Sequence, residues 1–121
     1  MLKQLVNRLF SLFLLLSFML IGTYVSAQEV LKIGAIFSVT GPGSSLGIPE
    51  KNTVEMLEKE INAAGGVNGK KIEVIFYDDG SDETNARNRF NKLVNDDKVL
   101  AVIGPTLSGT SLALVEMANT A

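Results

Sequence analysis

Three short apolar runs constrain this chain more than any other feature, because each breaks into a turn and then into apolar side chains at helical spacing. In the last of them Val99, Leu100, Ala101, Val102 and Ile103 show no polar alternation, which is how a strand buried on both faces of a parallel sheet reads. Gly104 and Pro105 end the run. Ser108, Thr110 and Ser111 are residue types that open helices, so Leu112, Val115 and Ala118 predict a helix beginning at or just after Ser108 and burying those three side chains. The first run, Leu31 to Val39, passes through a loop at Thr40 to Gly47 into a helix predicted over Ile48 to Ala64. Pro49 falls in its first turn, and Val54, Leu57, Ile61 and Ala64 form its apolar stripe. Gly65-Gly66 is the expected C-cap and Asn68-Gly69 a tight turn. The second run, Ile72 to Tyr77, leads through Asp78 to Asp82 into a helix capped by Ser81 or Asp82, with Ala86, Phe90, Leu93 and Val94 buried and Asn95-Asp96-Asp97 as its stop.

The order β-α-β-α-β-α with short connections predicts an α/β fold, a doubly wound parallel sheet whose first strand lies between the second and the third. Ligands in such sheets bind beyond the carboxyl ends of the strands where the winding reverses. The loops at Gly41 to Gly47 and at Gly104 to Ser111 are therefore expected to wall one crevice. A strand running straight into a helix gathers free N–H groups, the positive end of a helix dipole and hydroxyls, which suits a carboxylate or a phosphate. Ser108 is the candidate contact; the plainer alternative makes it a helix cap alone.

Residues 1–27 read as an export leader. Lys3 and Arg8 form a basic start, Leu9 to Ile21 an almost unbroken apolar stretch, and Val25-Ser26-Ala27 a cleavage site. An uncleaved anchor is the competing reading, set aside because Gly22, Thr23 and Ser26 break the far end of the stretch. The formal net charge is −2, and removal of Lys3 and Arg8 makes the remainder more acidic, which argues against nucleic acid as a partner. The chain has no cysteine and no histidine. Disulfides, a Ser-His-Asp triad, a Cys-His pair and the commonest zinc sites are thereby excluded within it, and neither metal nor cofactor is expected. Leu112 to Ala121 stops in mid-helix and three strands leave two open sheet edges, so residues 28–121 are expected to be the first part of a longer protein.

The motifs divide in the same direction. Gly41-Pro42-Gly43-Ser44-Ser45-Leu46-Gly47 is one residue too long for a dinucleotide fingerprint and lacks the lysine of a phosphate loop. Asp78, Asp79, Asp82 and Glu83 do not have calcium-loop spacing and are explained by helix capping. Thr106 and Thr110 stand where a nucleophile elbow needs glycine.

The stretches LKIGAIFSVTGPGSSLG, INAAGGVNGKKIEVIFYDD and VLAVIGPTLSGTS resemble the branched-chain amino acid binding proteins of ATP-binding-cassette importers, which have the type I periplasmic-binding fold. The resemblance covers nearly all of Leu31 to Ala121, and it implies the first part of the N-terminal lobe of a two-lobe protein. It also implies a non-enzymatic, periplasmic protein, monomeric when full length, that delivers a small molecule such as an aliphatic amino acid to a membrane permease. Ser108 matches the hydroxyl residue that holds the ligand carboxylate, and Gly109, Thr110 and Ser111 belong to the same anion site. Leu46 falls where some members place an aromatic over the ligand. A sensory receptor domain of the same fold is the alternative, and a secreted enzyme stands third.

Overall fold

The computed structural model describes residues 3–4 and 29–121; the expected leader, but for Lys3 and Gln4, lies outside them. Three parallel strands, β1 (Val30–Phe37), β2 (Lys71–Asp78) and β3 (Ala101–Ile103), lie in the order β2-β1-β3. The helices are α1 (Ser44–Ala63), α2 (Glu83–Lys92), α3 (Ser108–Leu112) and α4 (Val115–Thr120). This is the doubly wound α/β arrangement expected, with β1 as its central strand.

Alternation along β1 divides the core between two faces. Ala35 and Phe37 meet α1, where with Val54, Glu58, Val74 and Phe76 they line a cavity of about 80 Å³. Ile36 faces the other way, into a cluster with Ala86, Phe90, Leu93 and Leu114. The stripe expected of α2 is therefore the one buried, and Asp82 caps that helix by accepting the Asn85 amide at 2.8 Å. Beyond Lys92 the chain does not stop at Asn95 but winds on as a wider π-turn over Leu93–Asp97, ended by Lys98 in the left-handed region. Gly65 and Gly66 do close α1, through amide bonds to Asn62 and Ile61. Val67 and Lys70 pair across the Asn68-Gly69 turn.

Three expectations are corrected. First, α1 begins at Ser44 rather than Ile48, so Pro49 lies inside the helix and not in its first turn. Gly47 makes this start possible: it is buried against the Ser38 backbone, where any Cβ would collide with the Ser38 carbonyl. The N–H missing at Pro49 would have paired with the carbonyl of Ser45, an exposed residue. Leu57 and Ala64, expected to be buried, are exposed, and the inward face runs through Val54, Glu58 and Ile61. Second, the last helix is broken at Ala113-Leu114, and Leu112, Val115 and Ala118 all face outward. Thr110, Leu114 and Met117 take the inward positions instead. Both faces of this segment carry apolar residues, so periodicity alone could not choose between them. Third, β3 is a short three-residue strand and half exposed, with Ile103 at 44%. Its far edge is unpaired among the described residues.

Gly47→Ala is predicted to lower the stability of the full-length protein by about 1–3 kcal/mol, the usual cost of forcing atoms into a packed contact. Urea unfolding measures it, and an unchanged midpoint would contradict the contact.

Candidate functional site

The carboxyl ends of the three strands open onto three loops that hydrogen bonds tie together. Asp78, the last residue of β2, reaches across to the loop after β1. Its Oδ1 accepts the amides of Val39 at 3.0 Å, Thr40 at 3.3 Å and Gly80 at 2.9 Å, and its Oδ2 accepts the Thr40 hydroxyl at 2.6 Å. Burial pushes the Asp78 carboxyl up, but the Thr40 hydroxyl and the amides of Gly80, Thr40 and Val39 outweigh it and hold the group below the ordinary aspartate range. Ser81 fastens the same loop, its hydroxyl accepting the Gly43 amide at 2.9 Å and donating to the Thr40 carbonyl at 3.0 Å. Capping was the sequence-based account of these carboxylates, and it holds for Asp82; Asp78 and Asp79 serve the β1 loop instead.

Ser38 is fully buried and joins all three loops. Its hydroxyl donates to Asp79 Oδ1 at 2.7 Å, an oxygen that also accepts the Ser81 amide at 2.9 Å. The Ser38 amide donates to Thr106 Oγ1 at 3.0 Å, and the Thr106 hydroxyl donates to Glu50 Oε2 on α1 at 2.6 Å. The β3–α3 loop reaches this position because Gly104, at φ +102°, passes so close to the Ile36 carbonyl that a Cβ would clash with it. The two loops expected to wall a crevice are therefore in direct contact: a Cβ at Gly43 would stand 3.1 Å from the Leu107 side chain.

The sequence-predicted residues are sorted by what their polar groups already do. Leu107 stands at the N-cap of α3, so Ser108 is its first residue and not its cap. Ser108 is exposed, and its hydroxyl has no hydrogen-bond partner among the described residues. Gly109 is exposed beside it. The first backbone bond of α3 is from the Ser111 amide to the Leu107 carbonyl at 2.9 Å, so the amides of Ser108, Gly109 and Thr110 precede the helical ladder. The hydroxyls of Thr110 and Ser111 are committed: Thr110 is 2% exposed and donates to the Leu107 carbonyl at 2.9 Å, and Ser111 donates to the Pro105 carbonyl at 3.2 Å. A five-residue helix has a small dipole; hydroxyl and amides, more than the dipole, are what this turn offers an anion. Glu83 flanks it, with Oε1 3.1 Å from where a Cβ on Gly109 would stand.

Leu46, 55% exposed in the first turn of α1, borders a pocket of about 570 Å³ with Phe37, Pro49, Glu50, Val54 and Ile103. Sequence reasoning missed Thr106, Glu50 and Ser38. The Ser38–Thr106 and Thr106–Glu50 bonds span 68 and 56 residues, a separation no local pattern records.

The family profile described as periplasmic binding protein matches residues 30–121, and the chain belongs to that family. It is 31% identical over 94 residues, 76% of this chain, to the chemotactic signal transduction system substrate-binding protein BasB of Halobacterium salinarum. It is 35% identical over 108 residues, 89% of this chain, to the leucine-, isoleucine-, valine-, threonine- and alanine-binding protein of Pseudomonas aeruginosa. Among solved structures it is similar to the branched-chain amino acid transporter substrate-binding protein LivJ of Streptococcus pneumoniae in complex with isoleucine. The TM-score is 0.74 and the identity 38%, over 76% of this chain and 26% of that one. The chain spans 23% and 28% of the lengths of the two curated relatives. Its fold is that of the type I periplasmic binding proteins.

Because the folded Asp78 carboxyl titrates below its unfolded value of about 3.9, its contribution to stability is complete above about pH 5. It is lost as the pH falls through the lowered folded value. Asp78→Asn is predicted to be less stable than wild type near neutral pH and to lose less on acidification. Thermal melts of the full-length protein from about pH 3 to about pH 7 test this, and parallel curves for the two proteins would contradict it.

Proposed function

We propose that the full-length protein is an extracytoplasmic solute-binding protein of an ATP-binding-cassette importer. Residues 1–27 direct its export and are removed. It binds a branched-chain or other aliphatic amino acid, or a similar small amide-like solute, without chemical conversion, and delivers it to a membrane permease as a monomer in the periplasm.

The observation that carries this reading is the division of hydroxyls at the start of α3. Thr110 and Ser111 are spent on loop carbonyls, whereas the Ser108 hydroxyl is exposed and free beside amides that no helical carbonyl accepts. Such a group of donors suits a carboxylate. Thr110 contributes to it through its amide, since its hydroxyl is buried. The Glu83 carboxylate alongside is unfavourable for a bare anion and favourable for a zwitterion, whose ammonium it can face. Leu46, apolar and exposed, is suited to cover an aliphatic side chain. The amino acids named for the Pseudomonas relative and the isoleucine bound to the Streptococcus protein support the ligand class. A second reading, a receptor domain that reports ligand occupancy to a signalling partner, is favoured by the chemotactic role in the name of the Halobacterium relative. Neighbouring permease and ATPase genes favour transport, and a neighbouring transducer gene favours the receptor.

Ser108→Ala removes one charge-assisted hydrogen bond, worth roughly 1.5–3 kcal/mol, so the affinity of the full-length protein for its best amino acid is predicted to fall by about ten- to a hundredfold. The amide form of that ligand should bind wild type poorly and lose less on mutation. Paired titrations of acid and amide measure both effects; unchanged acid affinity in a folded variant would remove Ser108 from the site.

Export supplies a separate prediction: the mature protein begins at Gln28. Intact mass of protein recovered from the envelope reads it directly, and a mass that retains Met1 to Ala27 would contradict it.

A further inference from the structure

We propose that Thr106 is a positioning residue for ligand binding, holding the loop that carries Ser108 in fixed relation to the helix face that carries Leu46. The inference rests on the reading of Ser108 and Leu46 as ligand contacts, and it adds the link between them.

Those two residues stand on different elements, α3 and α1, and each is exposed. Leu46 and Glu50 are four residues apart on α1 and so share one face of it. Thr106 lies two residues before Ser108. The bond from the Thr106 hydroxyl to Glu50 Oε2 at 2.6 Å joins the two elements directly.

The other side of Thr106 is anchored to the sheet. The register of β1 with β3 ends at Ala35 opposite Ile103, and beyond it Gly104 turns away. The Ser38 amide is then met by Thr106 Oγ1 at 3.0 Å, a side-chain acceptor standing where a strand carbonyl would have continued the ladder. Ser38 is fully buried, so its amide has no recourse to water if that acceptor is removed. One hydroxyl therefore accepts from the central strand and donates to α1, using both of its capacities. Downstream, Ser111 to the Pro105 carbonyl and Thr110 to the Leu107 carbonyl fold the first turn of α3 back on the same loop. Between Thr106 and Ser108 there is little slack left.

Serine reproduces both bonds and valine neither, which makes the pair of variants a direct test. The full-length protein is titrated with L-leucine by calorimetry as wild type, Thr106→Val, Thr106→Ser, Glu50→Ala and Ser108→Ala, and amide hydrogen exchange is followed without ligand. Thr106→Val and Glu50→Ala should each weaken leucine binding by about tenfold. They should also speed exchange across residues 104–108, and Thr106→Ser should restore wild-type behaviour in both measurements. Should Thr106→Val fail to fold, Glu50→Ala decides, because it removes only the acceptor and strands no buried amide. Wild-type exchange in both Thr106→Val and Glu50→Ala overturns the proposal whatever the ligand does. Faster exchange with unchanged affinity, in a protein whose binding Ser108→Ala weakens, overturns the positioning role alone. If Ser108→Ala is neutral while Thr106→Val weakens binding and Thr106→Ser rescues it, the anion-site reading falls and the positioning role is supported.

Discussion

Ser38, wholly buried at the end of the central strand, is the point on which the loop cluster stands. Its hydroxyl is held by Asp79 and its amide by Thr106, so the first loop is fixed to the second and to the third at a single residue. The geometry of a parallel sheet explains why so much depends on it. Strands end there with amides and carbonyls that the ladder no longer pairs, and a buried amide without a partner costs about 1–3 kcal/mol. Side chains must supply what the strands stop supplying. Asp78 does so for Val39 and Thr40, Thr106 for Ser38, and Ser81 for Gly43. These bonds tie the loops at the mouth of the fold to one another.

Asp79 Oδ2 is buried without a partner among the described residues, and the Ser44 and Ser45 hydroxyls have none either; at the start of α3 an exposed, unpaired hydroxyl stands beside unladdered amides. Ser108 has this position and Thr110 does not, although both are hydroxyl residues in the same turn. The distinction rests on burial and bonding, and residue type alone does not draw it.

How far the sequence could be read follows the range of the interactions involved. Element order, the strand order, the Asp82 cap and the Ala86–Phe90–Leu93 stripe were all legible, because period, local capping and the handedness of crossovers decide them. The start of α1 was not. Gly43 caps it without a side-chain bond, and the helix is drawn back to Ser44 by the contact of Gly47 with Ser38, which no local signal announces. The inward face of the last helix was misread because Leu112, Val115 and Ala118 compete with Leu114 and Met117 on equal terms of hydrophobicity. Ser108 was legible as a candidate through its place after a strand. Thr106 and Glu50 were not, since a hydroxyl and a carboxylate 56 residues apart acquire their roles only when the loops meet.

In the proposed site the free hydroxyl and amides at the start of α3 hold a ligand carboxylate while the surrounding hydroxyls keep their structural bonds. A crystal structure of the full-length protein with L-leucine tests it most directly. A leucine carboxylate oxygen is expected at about 2.7 Å from Ser108 Oγ and within about 3 Å of the Gly109 or Thr110 amide, with the Thr110 hydroxyl still on the Leu107 carbonyl and Thr106 still between Ser38 and Glu50. A leucine whose carboxylate is bound away from this turn, with the Ser108 hydroxyl left to solvent, would contradict it.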